Sequence, residues 1–244
     1  MVPDIASAYK SRMKVADLSS PDEIKIFDDL KKQVTEAGIT LKNDMKIVSL
    51  KMSEPTLDDT MPDNERFTRA LRAQTGVNVI RISYTALNKL AFVLRESHFD
   101  IQVVLRETEK DLFVYDVFEK EKNVIVGGMA VDIGTTTVSA IIIDMLTGEI
   151  LAKGSAGNGQ IRYGADVINR IIESGKPGGR EKLQKAVIDE TINPLIDTMC
   201  KQAHLDHSQL YRLCIASNTT MNHLLLGVFA DPVRMEPFVP SFFK

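Results

Sequence analysis

A chain of 244 residues with 44% hydrophobic content can bury one medium core or two small ones. Thirty basic against thirty-three acidic side chains leave a net charge of −3, which gives no electrostatic reason to expect nucleic acid as a partner. Cys200 and Cys214 are the two cysteines and sit in no CxxC or CxxxxCxxC run, so no iron–sulfur or zinc ligand set is expected within this chain, and both read as buried reduced thiols. The opening MVPDIASAYKSRMK lacks a signal-type apolar stretch, and no run approaches the roughly 18 apolar residues of a membrane span. A cytoplasmic protein without a membrane partner is expected.

Residues 1–45 read as an N-terminal linker and helical segment. Ser20, Pro21 and Glu23 make a helix start, Ile24, Phe27, Leu30 and Val34 repeat at helical spacing, and Ala37-Gly38 supplies the stop. A small α+β domain is expected over 46–124. Its strand lies at Lys46–Leu50, and a polar, proline-marked connection runs from Glu54 to Pro62. A helix follows over 63–74 with Phe67, Ala70 and Leu71 inward, then another over 83–96, capped by Ser83, with Leu87, Leu90, Ala91 and Leu94 as its stripe. Strands are expected over Asp100–Glu107 and Asp111–Phe118, with Ile101, Val103 and Leu105 inward. Nothing in this domain looks catalytic.

The charge run Lys120-Glu121-Lys122-Asn123 marks a boundary, and 125–244 reads as a second unit. VIVGGMAVDIGTTTVSAIIIDMLTGEILAKGSA gives three consecutive antiparallel strands in a buried sheet. A glycine-rich loop over Gly154–Gly159, a helix near Tyr163–Glu173, a long helix near Arg180–Ala203, a strand Leu210–Ala216 and a helix Thr219–Leu226 follow. The tail exposes Phe238, Val239, Phe242 and Phe243, as a chain would if cut where it enters another element.

Asp132-Ile133-Gly134-Thr135-Thr136-Thr137 occupies the tight turn between the first two strands of this unit. Asp132 at a strand end fits a ligand of Mg²⁺ through water. Gly134 lets backbone approach an anion, and the amides of Gly134, Thr135, Thr136 and Thr137, with their hydroxyls, can line phosphate oxygens. Such donors stabilise a transferring phosphoryl group. The plainer reading is a hairpin whose aspartate completes an Asx-turn. Past the strand ending at Ala216, Asn218 and Thr219 lie where open α/β sheets place ligands, although Asn218 can equally cap the next helix. Arg162, Asp166 and Arg170 recur at i, i+4 and i+8 and read as a salt-bridged helix stripe, while His204, His207 and His223 read as surface or packing residues.

GMAVDIGTTTVSAIIIDMLTGEILA resembles the opening of the acetate and sugar kinase/Hsp70/actin superfamily. The runs Asn158–Ile171, Ser217–Gly227 and Glu236–Pro240 are similar to the reductive activators of corrinoid-dependent enzymes, and 46–122 resembles that family's middle domain. The resemblance implies an α/β fold: a ribonuclease H-like, actin-like ATPase first lobe preceded by a small α+β domain. It implies ATP and Mg²⁺ as cofactors, Asn218 and Thr219 as the catalytic pair facing the γ-phosphate, and reduction of Co(II) corrinoid to Co(I) for methyl transfer. The partner is then a corrinoid protein or corrinoid-dependent methyltransferase, with electrons from a separate iron–sulfur protein; a homodimer stays open.

Two departures qualify this. The family's ferredoxin-type domain has no counterpart here, and no second D-x-G-T/G run supplies the other lobe, so a fragment or short paralogue with an incomplete nucleotide site is expected. The family's Asn-Pro-Gln appears as Asn158-Gly159-Gln160, which should loosen that loop. A docking module without catalysis and a small-molecule kinase of the same superfamily are the alternatives.

Overall fold

The computed structural model describes residues 14–15, 29, 32–33, 36–37 and 43–242. The expected helix before Gly38 falls largely outside the described residues; Asp29, Lys32, Gln33 and Glu36 are helical, and the Ala37 amide donates to the Gln33 carbonyl at 2.9 Å. The described residues divide into two compact units. The N-proximal one takes them from Leu30–Val126 and Met145–Thr147, and the C-proximal one from Met1–Asp29, Gly127–Asp144 and Gly148–Lys244. No helix among the described residues is long and apolar enough to cross a membrane.

The N-proximal unit is a four-stranded sheet covered by two helices. Its strands are β2 (Met45–Lys51), β3 (Val79–Ile82), β4 (Asp100–Glu107) and β5 (Asp111–Glu119), in the order β2-β4-β5-β3. β4 pairs antiparallel with β2 and β5, whereas β3 runs parallel to β5. Helix α1 (Asp63–Thr75) begins after Pro62 with acidic Asp63 and Glu65 in its first turn and stops at Gly76, whose φ of 73° only glycine adopts cheaply. Helix α2 (Tyr84–Glu96) starts at Ser83, whose Oγ accepts from the Ala86 amide at 3.0 Å. Phe67 and Leu71 from α1 and Leu90 and Leu94 from α2 bury against Ile101, Val103 and Leu105 of β4. The helix stripe differs from the expected one. Leu87 is 48% exposed and Ala91 is exposed, while Ala86 and Val93 turn inward.

In the C-proximal unit, β6 (Gly127–Ile133), β7 (Thr137–Asp144) and β8 (Ile150–Gly157) form the expected antiparallel meander. β9 (Leu210–Ser217) returns parallel to β6, and β1 (Lys14–Val15) pairs on the far side of β8, giving β1-β8-β7-β6-β9. Three antiparallel strands with a fourth parallel to the first make a mixed sheet. The sheet is not buried on both faces: Val131, Ile133, Val138 and Ile142 are buried, whereas Ala130, Asp132, Ser139 and Ala216 face solvent. Gly154, expected in a loop, lies within β8 and lets α5 (Asn193–Gln202) approach: a Cβ there would meet Leu195 Cδ1 at 2.9 Å.

The expected long helix is present but interrupted. α4 (Gly179–Val187) runs through a π turn, Ile188–Ile192, into α5. The expected stripe of Arg162, Asp166 and Arg170 is not formed, because these residues do not share a helix. Arg162 lies in a 3₁₀ turn (Gly159–Tyr163) and pairs with Glu190; Asp166 caps α3 (Val167–Ser174) by accepting from Asn169; Arg170 is wholly buried and donates from Nε to the Gly164 carbonyl at 2.9 Å. Cys214, expected to be buried, is exposed because β9 is an edge strand among the described residues; Cys200 is buried, and burial raises its thiol pKa. His223 is wholly buried between the Thr219 carbonyl and the Ser241 amide, and Phe242 stacks on it, so this part of the tail is pinned rather than free. Phe238 and Val239 are exposed as expected, and Phe243 lies outside the described residues.

Candidate functional site

β6 ends at Ile133 and β7 begins at Thr137, so Gly134, Thr135 and Thr136 make the turn, closed by the Gly134 amide donating to the Thr137 carbonyl at 2.9 Å. A Cβ on Gly134 would lie 2.7 Å from that carbonyl oxygen, so the closure requires glycine. Thr136 and Thr137 are exposed, and Gly134 and Thr135 half-buried. Among the described residues no side chain seals the turn. Among the described residues the amides of Thr135 and Thr136 donate to nothing. Unpaired donors on an exposed turn suit an anion.

Asp132 sits one residue before the strand end, opposite Ser139 on β7 and Ala216 on β9, with its carboxylate in solvent. The parallel register pairs Ile133 with Ser217, which brings the 134–137 turn and the start of α6 (Thr219–Leu226) to the same edge of the sheet. Asn218 caps that helix, its Oδ1 accepting from the Met221 amide at 2.9 Å, and Thr219 spends its carbonyl on His223 Nδ1. Asp132, Gly134–Thr137, Asn218 and Thr219 thus gather at one end of two neighbouring strands. Among the described residues no three His, Cys, Asp or Glu side chains cluster as a metal site. Asp132 supplies a single solvent-facing carboxylate beside the turn.

Asn158, at the end of β8, underlies the turn and is 2% exposed. Its amide donates to the Thr136 carbonyl at 2.8 Å and its Nδ2 to the Gly134 carbonyl at 2.9 Å. The loop after it is tight, contrary to expectation: the Gly159 amide donates to Thr191 Oγ1 at 3.0 Å, a bond that proline cannot make. The Asn158-Gly159-Gln160 run marked Asn158 in the sequence, but not its burial beneath the turn, since buried and exposed asparagines look alike in a linear pattern. A groove of about 660 Å³, lined by residues including Thr68, Arg69, Arg72, Ile80 and Ile82, belongs to the N-proximal unit and does not include this turn.

Two family models account for most of the chain: the RACo linker region matches residues 34–123 and the RACo middle region matches residues 127–244. The chain belongs to the RACo family. The labels fall differently from the expected ones, since the α+β unit matches the RACo linker and the unit with the Gly134–Thr137 turn the RACo middle region. A solved structure titled reductive activator for corrinoid, iron-sulfur protein aligns with 99% of this chain at 32% identity and a TM-score of 0.68. The corrinoid activation enzyme RamQ of Eubacterium limosum is 37% identical over 122 residues, half of this chain. An archaeal actin homologue aligns over 72% of the chain and 66% of its own at 15% identity, with a TM-score of 0.28 that carries no structural argument. The chain spans 35% of the solved RACo-type relative and 20% of RamQ.

Proposed function

We propose that this chain takes part in ATP-dependent reductive activation of a corrinoid protein, with the β6–β7 turn as the part that grips the nucleotide's terminal phosphates. The observation that carries the reading is the pair of unengaged amides on the open Gly134–Thr137 turn, at the shared edge of β6 and β9, in a chain of the RACo family. Hydrolysis of bound Mg-ATP supplies the free energy for the uphill reduction of Co(II) to Co(I). The chain's own residues have narrower tasks. The Thr135 and Thr136 amides and the threonine hydroxyls bind phosphate oxygens, the Gly134 amide being spent on the bond that closes the turn, and Asp132 would orient a metal's water shell from one residue before the turn. Asn218, held by its cap bond, keeps Nδ2 for a water or phosphate oxygen at the start of α6, beside the Thr219 hydroxyl. The corrinoid partner and a separate electron donor follow from the same reading.

The test is calorimetric titration of Mg-ATP into the chain and measurement of hydrolysis with and without a corrinoid protein. Wild type should bind, and Asp132→Ala should weaken Mg-ATP by tenfold or more while leaving thermal stability near wild type, because its carboxylate is already in solvent. Equal affinity in wild type and variant would end the assignment of Asp132. A docking role for the RACo linker is the second reading, favoured by its amphipathic groove beside β3. Corrinoid-protein binding that ignores nucleotide and is lost in Arg69→Glu/Arg72→Glu would support it.

A further inference from the structure

We infer that Asn158 and Thr191 are positioning residues that hold the Gly134–Thr137 turn in its anion-receiving shape, an inference that rests on the nucleotide reading of that turn. Asn158 engages two of the three carbonyls of the turn, Gly134 through Nδ2 and Thr136 through its backbone amide. In a trans peptide the carbonyl and the following amide point in opposite directions. Tying the Gly134 carbonyl to Asn158 therefore turns the Thr135 amide, one of the two that donate to nothing, away from it, and tying the Thr136 carbonyl fixes the peptide on the other side of the Thr136 amide. Without those bonds either peptide plane can flip and present a carbonyl oxygen, which repels phosphate.

Asn158 is itself clamped. Its Oδ1 accepts from the Gln160 amide at 3.0 Å, and its neighbour Gly159 rests on the π turn, where Thr191 Oγ1 accepts from the Gly159 amide and donates to the Ala186 carbonyl at 2.8 Å. A Cβ on Gly159 would lie 2.7 Å from Ala186 O and 3.0 Å from Thr191 Oγ1, so nothing larger fits between strap and helix. Thr191 is 1% exposed. The long helix, its π turn, Thr191, Gly159, Asn158 and the phosphate turn form one unbroken chain of contacts. Met221 of α6 joins it from below, with Sδ 3.8 Å from Asn158 Nδ2.

The experiment compares Asn158→Asp, Thr191→Val and Thr191→Ser with wild type and with Gln184→Ala. Gln184 makes a comparable side-chain bond, to the Leu225 carbonyl at 3.0 Å, elsewhere in the same unit. Asn158→Asp keeps the Gln160 cap but sets an oxygen against the Gly134 carbonyl; Thr191→Val keeps shape and removes the hydroxyl. Two quantities are read: Mg-ATP affinity by calorimetry, and hydrogen–deuterium exchange, without nucleotide, of the Gly134 amide whose bond closes the turn. Asn158→Asp and Thr191→Val should each weaken Mg-ATP about tenfold or more and speed exchange of the turn about tenfold, with Thr191→Ser and Gln184→Ala within about twofold of wild type. Wild-type affinity in Thr191→Val and Asn158→Asp overturns the inference and leaves the nucleotide reading standing. If wild type itself fails to bind Mg-ATP, the nucleotide reading falls and takes this inference with it. Should Asn158→Asp fail to fold, Thr191→Val with its serine rescue decides the matter.

Discussion

Arg66 lies on the inner side of α1 at 2% exposure, and its guanidinium reaches Asp59 Oδ2 at 2.6 Å and the Asp59 carbonyl at 3.1 Å. A buried guanidinium is tolerable only while paired. The hydrogen bond from Arg66 holds the Asp59 carboxyl below the usual carboxylate range, so its stabilisation is complete above that range and is lost as pH falls through the depressed value. Asp59→Asn should therefore be less stable than wild type at neutral pH, and the two stability curves should converge once pH has fallen below the usual carboxylate range. Urea titrations at stepped pH read this directly; curves that stay parallel into acid would exclude the pair as a contributor. Sequence carried part of this scale. Asp132 and the glycine of the turn were legible because their chemistry is bound to residue type, whereas the burial of Arg66, Arg170 and Asn158 depends on which distant elements close over them.

At the scale of elements, caps and turns decided the boundaries. Ser83 both accepts from the Ala86 amide and donates from Oγ to the Tyr115 carbonyl at 2.6 Å, joining the start of α2 to β5. Ser83→Ala should cost about 1–2 kcal/mol, measured by denaturant unfolding, more than an isolated exposed cap would. Helix starts at Ser83 and Thr219 and the β4, β6 and β7 strands could be read from periodicity and capping residues. β3 could not: four residues pair in parallel with β5, and only tertiary closure tells such a short run from a loop. On α2, Leu90 and Leu94 face inward as read, but Leu87 and Ala91 do not, because they are as apolar as the Ala86 and Val93 that take their places. The π turn left no local signal in composition.

The molecule as a whole holds two cores. Phe67, Leu71, Leu94 and Leu105 are fully buried in the RACo linker unit, as are Leu183, Leu195 and Met199 in the middle region. Thermal unfolding should accordingly resolve two transitions in scanning calorimetry. Phe67→Ala, at about 3–5 kcal/mol, should lower one of them and leave the other in place, and Mg-ATP should raise only the transition that Phe67→Ala does not move. A single transition displaced as a whole by Phe67→Ala would contradict this division.

The extra residue of the Ile188–Ile192 segment restricts how this region can change over evolution. Removing Asp189 would restore an uninterrupted α-helix, but every side chain beyond it would swing by about 100° around the axis. Leu195 and Met199, which now meet the strand at Gly154, would rotate off it. Length variation should thus be rare between residues 188 and 199, even where the individual side chains drift.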